Sequence, residues 1–135
     1  MKYRRLGKTG LQVSAIGVGT WQLGNHWGKQ FEQSEVNDIF ARAGELGINL
    51  VDTAECYGHH VSENFIGNAL QSRREQWIIA TKFGHNHCSE LPGEAHWQAD
   101  QVLLQLEASL RALQTDYIDI YQFHFLLTVL HIHIY

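Results

Sequence analysis

The chain has few cysteines, a single proline and no long hydrophobic run. Each shortage excludes something. The two cysteines, Cys56 and Cys88, match neither a zinc-ligand spacing nor a redox pair. Sparse cysteine fits a reducing compartment, and we expect a cytoplasmic protein. The proline, Pro92, stands before Gly93 and marks a turn. No apolar stretch reaches the roughly 18 residues of a membrane span. The basic start, Met1-Lys2-Tyr3-Arg4-Arg5, is not followed by an apolar run of signal-peptide length. There is no Lys/Arg-rich block and the net charge is -4, which argues against a nucleic-acid or anionic-membrane surface.

What is present is hydrophobic periodicity. Its 135 residues suit one domain, and 44% hydrophobic content can build a core. Tyr3 to Leu6 and Leu11 to Ser14 flank Gly7-Lys8-Thr9-Gly10 and predict a hairpin. Ala15 to Gly19 predicts a buried strand. Its run Gly17-Val18-Gly19-Thr20-Trp21 lacks the third glycine of a dinucleotide-binding fingerprint. Ser34 is the expected cap of a helix carrying Val36, Ile39, Phe40, Ala43 and Leu46, and Gly47 ends it. A strand follows over Ile48 to Asp52. Ser62 is expected to cap a second helix with Phe65, Ile66, Ala69 and Leu70 on one face. Trp77 to Lys82 is a third strand. Ala99, Val102, Leu103, Leu106, Leu110 and Leu113 form an amphipathic stripe, and Tyr117 to Phe123 is a fourth strand. Alternating strands and helices imply a parallel sheet with helices outside it. An open doubly wound sheet and part of a (β/α)8 barrel both satisfy this order.

In either architecture function gathers at the carboxyl ends of the strands. Asp52, Lys82 and His124 stand at three such ends, and Tyr57 lies on the loop after Asp52. Taken singly, each has an ordinary structural explanation. At matching ends of consecutive strands they make a coherent chemistry. A free tyrosine, with a pKa of about 10, is a poor proton donor at neutral pH. A neighbouring Lys82 ammonium stabilises the phenolate, and Asp52 can hold that ammonium in place. His124 can hydrogen-bond a substrate oxygen or share the proton relay. Such a site protonates a carbonyl oxygen as it becomes an alkoxide. It supplies no hydride, so a reduction needs a cofactor. Nine histidines also invite a metal reading through His85, His87 and Cys88. No carboxylate completes a ligand spacing there, and we expect no metal site.

These residues resemble the aldo-keto reductases, especially the bacterial and potassium-channel β-subunit-like branch. The resemblance runs from Lys2 to His124. It is carried by Arg5 to Leu11, by Gly17 to Trp21, and by Gly47-Ile48-Asn49-Leu50-Val51-Asp52-Thr53-Ala54-Glu55-Cys56-Tyr57-Gly58. Ser62-Glu63 with Ile66-Gly67, Ala80-Thr81-Lys82, and Ser109-Leu110 with Asp116-Tyr117-Ile118-Asp119 continue it. The resemblance implies an NADP(H)-dependent reductase of small aldehydes and ketones on a (β/α)8 TIM barrel. It implies Asp52, Tyr57, Lys82 and His124 as catalytic residues, with Tyr57 the general acid. Gly19, Thr20, Trp21 and Asp52 would contact the nicotinamide end of NADP(H).

Such a barrel takes about 250 residues. The expectation is therefore one truncated domain over 1–135, the N-terminal half of a barrel, with four parallel strands after a hairpin. Residues 1–124 are family-like and 125–135 form an atypical tail, expected to add an edge strand beside the fourth strand. The chain is expected to be weakly active or inactive, or a non-catalytic remnant or interaction fragment. Self-association of the half-barrel is a further expectation, since unclosed sheets leave edges open.

Overall fold

The computed structural model describes residues 1–25, 28–84 and 98–124. The metal candidates His85, His87 and Cys88, the Pro92-Gly93 turn and the expected edge strand in 125–135 lie outside the described residues. The chain opens with a hairpin, β1 (Tyr3–Arg5) and β2 (Gln12–Ser14), paired antiparallel. A four-stranded parallel sheet follows: β3 (Val18–Gly19), β4 (Leu50–Asp52), β5 (Ile78–Phe83) and β6 (Ile120–Phe123), in that spatial order. Three helices connect them: α1 (Gln33–Glu45), α2 (Val61–Leu70) and α3 (Ala99–Leu113). Spatial order equals sequence order, so each crossover advances the sheet by one strand. This stepwise order departs from a doubly wound sheet, where the order reverses at a switch point.

Burial explains the pairing of faces. Val51 on β4 and Ile79 on β5 are fully buried, together with Val36 and Phe40 of α1 and Ile66 of α2. These join Leu70, Trp77 and Leu113 in one cluster between sheet and helices. Phe40 meets Trp77 edge to face at 5.3 Å between ring centroids. Each large apolar side chain taken fully out of water contributes about 1.5–3 kcal/mol, so this layer is the main stabilising element. Alternation along β5 puts Ile79 and Thr81 toward the helices and Lys82 on the opposite face. Helices α2 and α3 cross closely at Gly67, where a Cβ would lie 2.7 Å from the Ala112 carbonyl oxygen.

The sequence places several boundaries differently, for physical reasons. Ser34 lies inside α1, and Glu32 takes the cap position. The Glu32 amide donates to Glu35 Oε2 at 3.0 Å, and Glu35 also pairs with Lys29 at 2.6 Å. A carboxylate in the first turn complements the helix dipole. Ser62 is not a cap either. It lies fully buried in the first turn of α2, and His60 holds the cap position with left-handed backbone. The last strand is shorter than Tyr117 to Phe123, because the Asp119 carboxylate accepts the Ile79 amide at 2.9 Å, ahead of the strand pairing that begins at Ile120.

Asn49 ties the hairpin to the sheet. Its Oδ1 accepts the Ser14 amide at 2.8 Å, its Nδ2 donates to the Gln12 carbonyl at 2.9 Å, and its amide donates to Ser14 Oγ at 3.1 Å. Asn49→Ala removes both side-chain bonds and is expected to cost about 1–3 kcal/mol. Urea denaturation measures it, and a loss below about 0.5 kcal/mol would show that the hairpin is not anchored there.

Candidate active site

The four residues that sequence reasoning selected come together at the carboxyl ends of the parallel strands. Asp52 ends β4, and Lys82 is the penultimate residue of β5. His124 follows β6, with its amide donating to the Phe83 carbonyl at 2.8 Å, so it continues the β5–β6 ladder. Tyr57 comes from the tight loop after β4, where its amide donates to the Ala54 carbonyl at 3.1 Å.

Lys82 is the hub. Its Nζ lies 2.7 Å from Asp52 Oδ1, 2.8 Å from the Thr53 carbonyl and 3.4 Å from the Tyr57 hydroxyl. The Lys82 side chain is 13% exposed, whereas that of Asp52 is half exposed at 50%. The ammonium is thus held from below and open toward the tyrosine. It also stands 5.2 Å from the Tyr57 ring centroid. The His124 ring meets the Tyr57 ring at right angles, 6.4 Å between centroids, and its Nδ1 lies 3.8 Å from Cys56 Sγ.

The residues expected near a nicotinamide divide into two groups. Gly19 pairs with Asp52 in the β3–β4 register, and a Cβ built on it would meet nothing within 4 Å. Trp21 opens a short 3-10 turn, Trp21–Gly24, and is 43% exposed. Thr20 instead lies beneath the rim. It is buried, and its hydroxyl donates to the Asp52 carbonyl at 2.9 Å and accepts from Ser62 Oγ at 2.9 Å. Thr20 therefore fixes the Asp52 backbone from below.

Sequence reasoning missed a buried polar layer under this rim. Ser62 Oγ meets Thr20 and Thr53, while the fully buried Glu63 accepts from Thr81 Oγ1 at 2.6 Å and pairs with His60. The hydrogen bond that His60 donates to Glu63 raises the His60 pKa above its ordinary 6.5, against the opposing effect of burial. Glu55, also buried, accepts the Gly84 amide at 3.0 Å. Burial pushes the Tyr121 phenol far above the usual tyrosine range, and the Glu55 and Glu63 charges add to it. One signal was readable: Glu63 lies at helical spacing with Ile66 and Leu70, a carboxylate on an otherwise apolar stripe.

Solved structures share this architecture. An aldo-keto reductase from Bacillus halodurans, in its holo form, superposes with a TM-score of 0.75 at 37% identity over 92% of this chain and 40% of that one. An aldo/keto reductase from Klebsiella pneumoniae in complex with NADPH gives 0.66 at 32% identity, over 86% of this chain and 37% of that one. The fold is therefore part of an aldo-keto reductase barrel, and the described residues form four of the eight strands such a barrel contains. The model of the aldo/keto reductase family matches residues 15–132, and the chain belongs to that family. Aldo-keto reductase YhdN of Bacillus subtilis is 39% identical over 127 residues, and L-galactose dehydrogenase of Arabidopsis thaliana is 38% identical over the same length. Each match takes in 92% of this chain and 38% of the relative, so the chain spans about two-fifths of the relatives it matches. Among the described residues, no helix is long and apolar enough to cross a membrane.

Proposed function

We propose that this chain carries the proton-delivery site of an NADP(H)-dependent oxidoreductase that reduces small aldehydes and ketones to alcohols. The observation that carries the reading is the Lys82 ammonium, fixed by Asp52 at 2.7 Å and the Thr53 carbonyl at 2.8 Å, and facing the Tyr57 hydroxyl at 3.4 Å. Tyr57 is the general acid. Its hydroxyl gives a proton to the carbonyl oxygen, and the negative charge left on the phenol oxygen develops beside Lys82. Asp52 keeps the ammonium oriented and leaves its exposed face toward Tyr57. His124, standing against the Tyr57 ring, hydrogen-bonds the substrate oxygen and fixes its approach. Tyr57 regains a proton from solvent after the alcohol leaves.

NADPH, when bound, supplies the hydride that the four side chains cannot. The rim suits its nicotinamide end. Gly19 leaves open space above β3, Trp21 offers an exposed flat apolar ring beside it, and the Asp52 side chain is half exposed. Thr20 supports this surface through Asp52. The NADPH complex of the Klebsiella pneumoniae relative supports the choice of cofactor.

Titration of the purified chain with NADPH, followed by cofactor fluorescence, tests the binding half of the proposal. The reduction of 4-nitrobenzaldehyde tests the chemical half. Saturable binding with weak turnover is expected. A folded chain with neither would favour the reading as a non-catalytic remnant.

A further inference from the structure

Directly after Tyr57 the backbone adopts a conformation that is uncommon outside glycine. Gly58, His59 and His60 stand in succession at φ values of 74, 50 and 67 degrees. Glycine accepts this; for histidine the Cβ crowds the neighbouring carbonyl. Gly58 has no alternative, because a Cβ there would lie 2.3 Å from the Gly24 carbonyl oxygen. Consecutive left-handed residues persist only where the surroundings hold them.

The structure shows what holds them. His60 Nδ1 lies 2.5 Å from Glu63 Oε2, and the other oxygen of Glu63 accepts from Thr81 Oγ1 at 2.6 Å. Thr81 immediately precedes Lys82 in β5. On the other side, the His60 amide donates to the Glu55 carbonyl at 2.8 Å, and the Ser62 amide donates to the Tyr57 carbonyl at 3.1 Å. One carboxylate thus joins the turn behind Tyr57 to the strand that delivers Lys82. Glu63 is fully buried, and a buried carboxylate is costly unless paired. Apolar packing gives no reason for a charge at that position.

We propose that Glu63 and His60 are positioning residues, which together with Thr81 clamp the Tyr57 hydroxyl against the Lys82 ammonium most tightly while His60 is protonated. The functional consequence rests on the reading of Tyr57 and Lys82 given above; the clamp itself does not. His60 faces Glu63 on α2, Glu55 on its own loop and Arg111 on α3. Glu63 and Glu55 raise its pKa from the ordinary 6.5, while burial and Arg111 lower it, and the Glu63 hydrogen bond prevails. The folded pKa is raised, so the clamp's contribution is fully present below 6.5 and is lost as pH rises through the folded value. A neutral imidazole keeps at most an uncharged hydrogen bond to Glu63.

The test is an NMR pH titration of the full chain carrying ring-labelled tyrosine and histidine, from about pH 5.5 to about pH 9. The Tyr57 signal is identified by its loss in Tyr57→Phe. We expect the Tyr57 signal to shift with the same midpoint as the His60 ring, above 6.5. Glu63→Gln keeps an acceptor for Thr81 and removes the charge. It is expected to lower the His60 midpoint by about one pH unit or more and to abolish the Tyr57 shift. His60→Gly relieves the left-handed backbone and should leave a folded chain whose Tyr57 signal is flat over this range. A Tyr57 signal that ignores the His60 titration in the unsubstituted chain overturns the proposal, as does an unmoved His60 midpoint in Glu63→Gln. No cofactor enters this experiment. Tyr57 tracking His60 in a chain that binds no NADPH would sink the functional reading and leave the clamp standing. NADPH turnover with a flat Tyr57 signal would do the reverse.

Discussion

Tyr57→Phe is expected to lower NADPH-dependent carbonyl reduction by about a hundred- to ten-thousand-fold, the usual contribution of a positioned general acid. The substitution removes one oxygen and little else. The ring keeps its right-angled contact with His124 at 6.4 Å and its place 5.2 Å from the Lys82 ammonium. Lys82 keeps Asp52 and the Thr53 carbonyl as partners. Folding stability should therefore change by no more than about 0.5 kcal/mol, and cofactor binding should be preserved. Steady-state kinetics beside a denaturation curve separate the two effects. A rate loss accompanied by an equal loss of folded protein would assign Tyr57 to packing.

Arg74→Ala is expected to destabilise the chain by about 3 kcal/mol, the lower end of the cost of breaking a buried ion pair, because this pair is only partly buried. The Arg74 side chain is 11% exposed and that of its partner Asp119 is 15% exposed. The guanidinium donates to Asp119 Oδ2 at 2.7 Å, to the Trp77 carbonyl at 2.7 Å, to the Tyr117 carbonyl at 3.0 Å and to Thr115 Oγ1 at 3.2 Å. It also stacks on Tyr117, 3.9 Å from the ring centroid. Asp119 at the same time accepts the Ile79 amide. This one arginine gathers the starts of β5 and β6 at the end of the sheet away from Tyr57. Its removal takes one donor from each of three carbonyl or hydroxyl oxygens and leaves the Asp119 carboxylate with the Ile79 amide but without its cation. Chemical denaturation reads the loss, and a value below about 1 kcal/mol would show that water replaces the guanidinium.

The order of elements and the four rim residues were legible because they depend on short-range pattern. Val36, Phe40 and Ala43 announce a helix face by spacing, and all three are buried. Asp52, Lys82 and His124 were readable because a parallel strand fixes where its last side chains emerge. The hairpin around Gly7 to Gly10 was readable for the same local reason. What stayed hidden depends on partners distant in sequence. Ser34 and Ser62 look like caps by residue type, yet Ser62 is drawn inward by Thr20, 42 residues away. Asp119 shortens β6 because its carboxylate meets an amide on β5, 40 residues away. Glu63 offered a visible anomaly on an apolar face, but its bond to Thr81 appears only once α2 is packed on β5. Left-handed backbone at His59 and His60 has only a weak signature in residue type, since histidine enters that region more often than most side chains but still uncommonly.

The most direct measurement of the central claim follows one atom. The chain is incubated with 4-nitrobenzaldehyde and NADPH deuterated at the transferred position of the nicotinamide, and the alcohol is recovered for mass spectrometry and NMR. The account predicts one deuterium on the former carbonyl carbon, formed far faster by the unsubstituted chain than by Tyr57→Phe. Alcohol formed at equal rates by the chain and by Tyr57→Phe, or no deuterated alcohol from a folded chain that binds NADPH, would contradict it.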